Sequence, residues 1–241
     1  MFPFDPILRS TEAERLVIKA EGRLYHRFRP APYYGGIATA DAVGCSFLCA
    51  YCWNYSRNEN PAGQGQFHEP QEVASLLLDI ARRRHFHQFR VTGSEPILGE
   101  ASLDHVAKVI QLIFDKRPDS VFILETNGLM LGHHREFAGR LKFKKLAVRV
   151  CLKGVDPESF EKITGARADY FEHPLAGLRA LQEAGVEAWP ALMEDLFTQD
   201  EINELKTRLV NLGIRSELEL ESLEPYPHVL ENLRRRNLSP R

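Results

Sequence analysis

The chain has 241 residues, of which 44% are hydrophobic and 27% are charged, and its formal net charge is −2 at pH 7. These values are close to globular averages, which argues against a disordered or fibrous protein, and the small net charge gives no general attraction to nucleic acid or to anionic membranes. The N-terminus lacks the basic start and apolar run of a signal peptide, and no apolar segment approaches the roughly 18 residues that cross a bilayer, so we expect a soluble, cytoplasmic protein.

From residue 37 onward, short apolar runs alternate with amphipathic segments, which is the pattern of repeated βα units around a parallel sheet. Strands are predicted at 37–43, 88–92, 121–125, 145–152, 186–192 and 216–223. Helices are predicted at 71–84, around 103–113, and at about 132–142, 174–184 and 199–212, where apolar residues recur at helical spacing. No convincing linker interrupts this order, so the sequence predicts a single α/β domain.

Cys45, Cys49 and Cys52 are three of the four cysteines in the chain. Their C-x3-C-x2-C spacing would arise by chance about once in a thousand such sequences, and thiolates at this spacing can wrap a loop around a soft metal centre. A structural zinc ion needs four ligands, for which His68 is available. An iron–sulfur cluster with four protein ligands would need Cys151. The remaining possibility leaves one iron open to a substrate or cofactor, which permits chemistry at the metal.

This spacing, with aromatic Tyr51 before the last cysteine, resembles the signature of the radical S-adenosylmethionine (radical SAM) superfamily. The resemblance implies that Cys45, Cys49 and Cys52 hold a [4Fe–4S] cluster, and that the amino and carboxylate groups of SAM chelate the fourth iron. It also implies that the reduced cluster cleaves SAM to a 5′-deoxyadenosyl radical, which takes hydrogen from a substrate, and that Tyr51 packs on the adenine. The implied fold is a partial (β/α)6 TIM-like barrel, whose active site lies at the C-terminal ends of the strands.

Polar motifs follow the predicted strands in the order that this resemblance requires. The stretch Gly93-Ser94-Glu95-Pro96 is similar to the family's Gly-Gly-Glu-Pro, which implies that Glu95 binds the amino group of SAM. Arg149 and Lys153 alternate along the fourth strand and share one face, where Arg149 would need an anionic partner such as a carboxylate of SAM or substrate. The cofactor-binding residues predicted in this way are Tyr51, Gly93, Ser94, Glu95, Glu125, Asn127, Arg149, Lys153 and His228.

Within the superfamily, the chain resembles the glycyl-radical-enzyme activases, the pyruvate formate-lyase activating enzyme among them. The resemblance rests on the stretch 125–128, on the run from 151 to 165 and on the stretch 224–228, in that order. The chain departs from the activase motifs at three positions, so its assignment to this subgroup stays open. Glu125 and Cys151 stand where the activases carry Asp, and Pro227 displaces their histidine by one position, to His228.

The sequence leaves the substrate open. An activase-like enzyme would take hydrogen from a glycine of a partner protein, whereas another radical SAM enzyme would act on a small metabolite or nucleoside, with Trp53, Arg149 and His228 shaping the pocket. A non-enzymatic iron–sulfur carrier is a third possibility, and it requires Cys151 as a ligand. The enzyme readings imply an electron donor such as a flavodoxin or ferredoxin. The expected organisation is an N-terminal extension over 1–36, the barrel over 37–230 and a C-terminal tail over 231–241.

Overall fold

A single open sheet organises the chain in the computed structural model, which describes residues 2–241. The strands of this described part are β1 (Ile18–Lys19), β2 (Gly22–Ala31), β3 (Ile37–Ala42), β4 (Gln66–His68), β5 (Gln88–Thr92), β6 (Val121–Thr126), β7 (Leu146–Leu152), β8 (Glu187–Met193) and β9 (Glu219–Glu221). They lie in the order β1-β2-β3-β5-β6-β7-β8-β9, and β4 pairs with β2. From β3 to β9 all neighbours are parallel. The predicted partial, TIM-like α/β barrel of six parallel strands is confirmed, and its sheet does not close.

Helices connect the parallel strands and cover the outside of the sheet. They are α1 (Pro6–Val17), α2 (Tyr55–Glu59), α3 (Pro70–Arg84), α4 (Glu100–Lys116), α5 (Leu129–His133), α6 (Pro157–Thr164), α7 (Glu172–Glu183), α8 (Gln199–Asn211) and α9 (Pro227–Arg235). In α3, Val73, Leu77 and Ala81 are buried at the predicted helical spacing, whereas Leu76 is 38% exposed. None of the helices in the described residues is long and apolar enough to cross a membrane.

The helix predicted at 132–142 is wrong as a continuous element. Helix α5 ends at His133, and a 3-10 turn over Arg135–Leu141 replaces the rest. The cause is close packing against α7, because a Cβ atom at Gly132 would overlap the backbone of His173. Glycine at this position therefore allows close contact between the backbones of the two helices.

The segment before residue 37 joins the same sheet. Strand β2 pairs antiparallel with β3 from Ala31 opposite Ile37 to Tyr25 opposite Ala42. Helix α1 precedes these strands in the chain. The Asp5 carboxylate caps its N-terminus by accepting hydrogen bonds from two backbone N–H groups. The N-terminal residues therefore extend the barrel wall on the side of β3.

Strand alternation separates two faces of the sheet. On β5, Phe89 and Val91 are buried against the helices, and the alternate residues Arg90 and Thr92 point to the concave side. The same alternation on the other strands gives the concave side a polar surface, although most of it is shielded from solvent. This surface forms the wall of the site described below.

Candidate active site

A cavity of about 580 Å³ lies on the concave side, at the C-terminal ends of the parallel strands. It brings together the three clustered cysteines and most of the side chains that were predicted to bind a cofactor. The predicted residues among its lining are Cys45, Cys49, Cys52, Tyr51, Gly93, Ser94, Glu95, Glu125, Asn127, Arg149 and Lys153. The position agrees with the general rule that barrel active sites sit where the strands end.

The cysteine loop follows β3 and is fastened to α6. Backbone N–H groups of Leu48 and Ala50 donate to carbonyls of Thr164 and Ile163, at 3.0 and 2.8 Å. The Phe47 ring packs edge-on against an aromatic ring of the same helix. These contacts hold the loop in one position without using the cysteine side chains, which stay directed to the cavity.

Burial raises the pKa of the cysteine thiols, to about 12 for Cys45 and Cys49 and to about 11 for Cys52. A buried thiolate therefore needs a cation or hydrogen-bond donors. Two amide side chains supply donors, since Asn58 Nδ2 lies 3.6 Å from Cys52 Sγ and Asn127 Nδ2 lies 3.8 Å from Cys45 Sγ. Such N–H groups stabilise sulfur that is negatively charged, as it is in a metal-bound thiolate.

The ligand set considered for zinc does not form. His68 lies on β4, where its ring packs edge-on against Phe28 at 5.1 Å, and it is not part of the cavity lining. No three side chains of the His, Cys, Asp or Glu type converge on a single-ion site anywhere in residues 2–241.

Glu95 is buried at the end of β5 and joins two strand ends. One carboxylate oxygen accepts from the Thr126 hydroxyl at 2.6 Å and from the backbone N–H of Ile97, and the other accepts from Asn127 N at 2.7 Å. Burial raises the pKa of Glu95 to about 7, although these three donors favour the ionised form. Below it, the Arg23 guanidinium donates to the carbonyls of Glu95 and Pro96. The turn is thus held from both sides.

Ser94 connects this turn to the cysteine loop. Its hydroxyl donates to Asn58 Oδ1 at 2.6 Å and accepts from Asn54 Nδ2 at 3.1 Å. Asn54 also donates to the Gly93 carbonyl at 2.9 Å. Gly93 itself has φ +84°, and a Cβ atom there would lie 3.0 Å from the Asp41 Cβ, so the turn needs glycine at this position.

The opposite wall carries a network around Arg149. Its guanidinium makes two hydrogen bonds to Glu219, at 3.0 and 3.1 Å, and one to Glu221 at 2.8 Å. It also donates to Cys151 Sγ at 3.2 Å. The anionic partners that Arg149 requires are therefore supplied by β9, whereas the sequence suggested a carboxylate of SAM or substrate.

Two further predicted residues differ in their placement. Lys153 lines the cavity with its Nζ atom 5.3 Å from the centre of the Tyr51 ring, within the range of a cation–π contact. His228 lies outside the lining, at the start of α9, where its Nε2 atom is 3.1 Å from the Trp53 carbonyl. Its role in cofactor binding stays a prediction.

Sequence reasoning missed several polar residues on the same concave wall. Arg90 pairs with Glu125 at 2.8 Å, and Thr92 donates to the same carboxylate at 2.5 Å. The others missed are Arg27, Arg29, Tyr33, Tyr34, Thr39, Asp41, Asn58, Glu219, Glu221 and Glu224. The available signal was alternation within predicted strands, as in the polar residues of Gln88-Phe89-Arg90-Val91-Thr92.

Comparison with known proteins assigns the family. Residues 41–193 match the sequence model of the Radical SAM superfamily, which is more than half of the chain. This chain belongs to the radical SAM superfamily. The match includes the cysteine loop, the Gly93–Pro96 turn and strands β5 to β8, and it confirms the superfamily that the sequence motifs predict.

The curated relatives that this radical SAM chain matches include GTP 3′,8-cyclases. It is 26% identical over 144 residues to the GTP 3′,8-cyclase of Microcystis aeruginosa, covering 59% of this chain and 42% of the cyclase. It is 27% identical over 144 residues to the probable GTP 3′,8-cyclase of Methanosarcina mazei, covering 59% and 40%. The chain therefore spans about two fifths of the length of the curated relatives that it matches.

Solved radical SAM structures share the fold. The enzyme anSMEcpe with bound AdoMet superposes with a TM-score of 0.59 at 18% identity, over 77% of this chain and 53% of that chain. SuiB of Streptococcus suis bound to S-adenosylmethionine gives 0.57 at 16% identity, over 83% and 42%. At these identities the similarity establishes the architecture. The specific likeness to glycyl-radical activases is not among these findings.

The family membership decides between the classes that the sequence left open. The protein is a radical SAM enzyme whose cofactors are a [4Fe–4S] cluster and S-adenosylmethionine. The zinc and electron-carrier alternatives are therefore wrong. The buried thiols and the amide donors directed at their sulfurs fit such a cluster, because it takes thiolate ligands whose charge those donors stabilise.

Proposed function

We propose that this enzyme uses its 5′-deoxyadenosyl radical to take a hydrogen atom from a small polar metabolite, of which a nucleotide is one example. In this proposal Cys45, Cys49 and Cys52 hold the cluster. SAM would bind at the Gly93–Glu95 turn, next to the contacting pair of Tyr51 and Lys153. When bound, the two cofactors together supply the radical, and the chain binds and orients both reactants.

The polar side chains near the Gly93–Glu95 turn have different roles in binding SAM and the cluster. The Glu95 carboxylate, fixed by Asn127 and Thr126, places negative charge where the ammonium group of SAM needs a partner. Lys153 supplies positive charge for the SAM carboxylate, since Arg149 is already paired with two glutamates. The side-chain N–H groups of Asn58 and Asn127 stabilise the thiolate form of Cys52 and Cys45.

The observation that carries the choice of substrate is the charged concave wall. Arginines and carboxylates from β2, β5, β6, β7 and β9 line one cavity, namely Arg29, Arg90, Glu125, Arg149, Glu219 and Glu221. A glycine in a peptide loop presents a neutral backbone, which gains little from such a wall. A metabolite with several polar groups can match these donors and acceptors, and fixed polar groups of this kind set ligand orientation. The GTP 3′,8-cyclases among the relatives support the same choice.

The test is anaerobic reconstitution with iron and sulfide, followed by reduction with dithionite in the presence of SAM and assay for 5′-deoxyadenosine. We expect its formation, and its loss in Cys49→Ala, which keeps the fold but removes a thiolate. The rate is then measured with added cell extract, separated into a low-molecular-weight filtrate and a protein fraction. Acceleration by the filtrate supports a metabolite. Acceleration by the protein fraction alone would favour the activase-like hypothesis, in which the substrate is a partner protein, over a metabolite substrate. Failure of an enzyme with a fully loaded cluster to cleave SAM would refute the proposed function.

A further inference from the structure

Two arginines on β2 share one buried carboxylate. Arg27 Nε lies 2.5 Å and Arg29 Nε lies 2.8 Å from Asp41 Oδ2, and Arg29 Nη2 lies 3.3 Å from Oδ1. The side chains of Arg27 and Arg29 are 45% and 25% exposed, whereas that of Asp41 is fully buried. The carboxylate is thus a fixed anchor, and the guanidinium groups extend from it toward solvent and the cavity.

This cluster has more positive than negative charge. Elsewhere on the wall, Arg90 pairs with Glu125, and Arg149 pairs with two carboxylates of β9. In the β2 cluster, Asp41 balances only one of its two guanidinium groups. One positive charge of the cluster is therefore not balanced by a carboxylate of the cluster, and water or salt solvates it until an anionic ligand binds.

The cluster also has free hydrogen-bond donors. A guanidinium group carries five N–H bonds and no acceptor. Within residues 2–241, no hydrogen bond is made by the two Nη atoms of Arg27 or by the Nη1 atom of Arg29. Planar N–H groups on two adjacent guanidinium groups match the oxygens of a phosphate or carboxylate.

The cluster lies at the edge of the active-site cavity. Arg29 lines the same cavity as the cysteines. The Arg27 guanidinium lies over the Trp53 ring at 5.5 Å, and Trp53 directly follows Cys52. Asp41 adjoins the Gly93 turn, as its Cβ atom would touch a Cβ atom there. A ligand on the cluster would therefore lie beside the cofactor turn, with the indole as a flat apolar wall.

We infer that Arg27 and Arg29, held by Asp41, form a subsite for an anionic group of the substrate, a phosphate or a carboxylate. The inference rests on the proposed function, because it names the chemical class of the metabolite. Anchoring by Asp41 fixes both guanidinium groups before binding, which lowers the conformational entropy lost on association. The carboxylate of SAM has the same chemistry, and the test separates the two sources.

The experiment measures binding to the reconstituted holoenzyme by equilibrium dialysis, with pyrophosphate, citrate, GTP and guanosine as probes and with SAM binding measured in parallel. Arg27→Gln and Arg29→Gln each remove one guanidinium group and leave Asp41 paired with the other. Arg82→Gln is the matched control, because that side chain is exposed on α3 and away from the cavity. We expect an anionic probe to bind the wild type and Arg82→Gln, and to bind each β2 variant about tenfold or more weakly, the loss typical of one charge-assisted hydrogen bond. Guanosine should not distinguish the four proteins.

Three results would overturn the inference. One is that no anionic probe binds the wild type, and a second is that the β2 variants bind the probes as well as the wild type does. The third is a tenfold loss of SAM binding in the β2 variants with probe binding unchanged, which would assign the cluster to the SAM carboxylate. Basal formation of 5′-deoxyadenosine is measured in the same preparations, so a failure of the proposed function is seen separately from a failure of the subsite.

Discussion

The side chain of Asn58 donates to the sulfur of Cys52 at 3.6 Å, and its own oxygen accepts from the Ser94 hydroxyl at 2.6 Å. One buried amide therefore connects a proposed cluster ligand to the turn that is proposed to carry SAM. Hydrogen bonds to sulfur stabilise the more negative, reduced state of an iron–sulfur cluster. Their removal should make the cluster harder to reduce.

We accordingly expect Asn58→Leu to lower the reduction potential of the cluster. The loss of one hydrogen bond is about 1 kcal/mol, which corresponds to about 40 mV for one electron. The measurement is an anaerobic redox titration followed by electron paramagnetic resonance, with exposed Asn60→Leu as the control. Equal potentials in the two variants would mean that the Asn58 contact has no electronic effect.

Arg23 should stabilise the cofactor turn through the backbone. Its buried guanidinium donates to the carbonyls of Glu95 and Pro96, at 2.6 and 2.8 Å. Arg23→Leu leaves both buried acceptors without a donor, so we expect a loss of about 3 kcal/mol in the free energy of unfolding and weaker SAM binding. Urea denaturation and equilibrium dialysis measure the two effects. Exposed Arg15→Leu is the control, and a wild-type SAM affinity in folded Arg23→Leu would contradict the role.

His105 should make the fold sensitive to acid. It is buried between the Tyr25 hydroxyl, 3.1 Å from Nε2, and the Glu21 carbonyl, 2.9 Å from Nδ1. Burial lowers the pKa of His105 to about 4. The folded state therefore favours neutral histidine, so its contribution to stability is fully present above the unfolded pKa of about 6.5 and is lost as the pH falls toward 4.

The matching prediction compares wild type with His105→Asn, which cannot take up the proton. Between pH 7 and pH 5, the wild type should lose about 2 kcal/mol more of its free energy of unfolding than the variant does. Chemical denaturation at the two pH values measures this difference. Parallel losses in the two proteins would show that another group controls the acid response.

Cys151 should be dispensable for the cluster. Its sulfur lies on β7 and accepts from Arg149 Nη1 at 3.2 Å, and a serine hydroxyl can replace that acceptor. We expect Cys151→Ser to keep the full iron content and the absorbance of the reconstituted enzyme, and Cys49→Ala to lose both. Loss of iron in Cys151→Ser would make Cys151 a fourth ligand and would remove the open coordination position.

Local sequence pattern was sufficient for much of the fold. Strand β5 lies at the predicted residues 88–92, because its apolar residues alternate and polar segments flank it. The cysteine spacing was informative for a similar reason, since a loop that wraps a metal centre uses ligands a few residues apart. The prediction of a helix at 132–142 was wrong because Gly132 packs closely against α7, which lies about forty residues further along the chain.

The substrate side of the cavity could not be derived in this way. The partners of Arg149 lie 70 and 72 residues away on β9, and Asp41 meets two arginines of β2 only through antiparallel pairing of β2 with β3. Periodicity tells which residues share the face of one strand, but the opposing residues depend on strand order and register. Those are set by packing of the whole sheet against its helices, because a one-residue shift would turn every side chain of a strand to the other face.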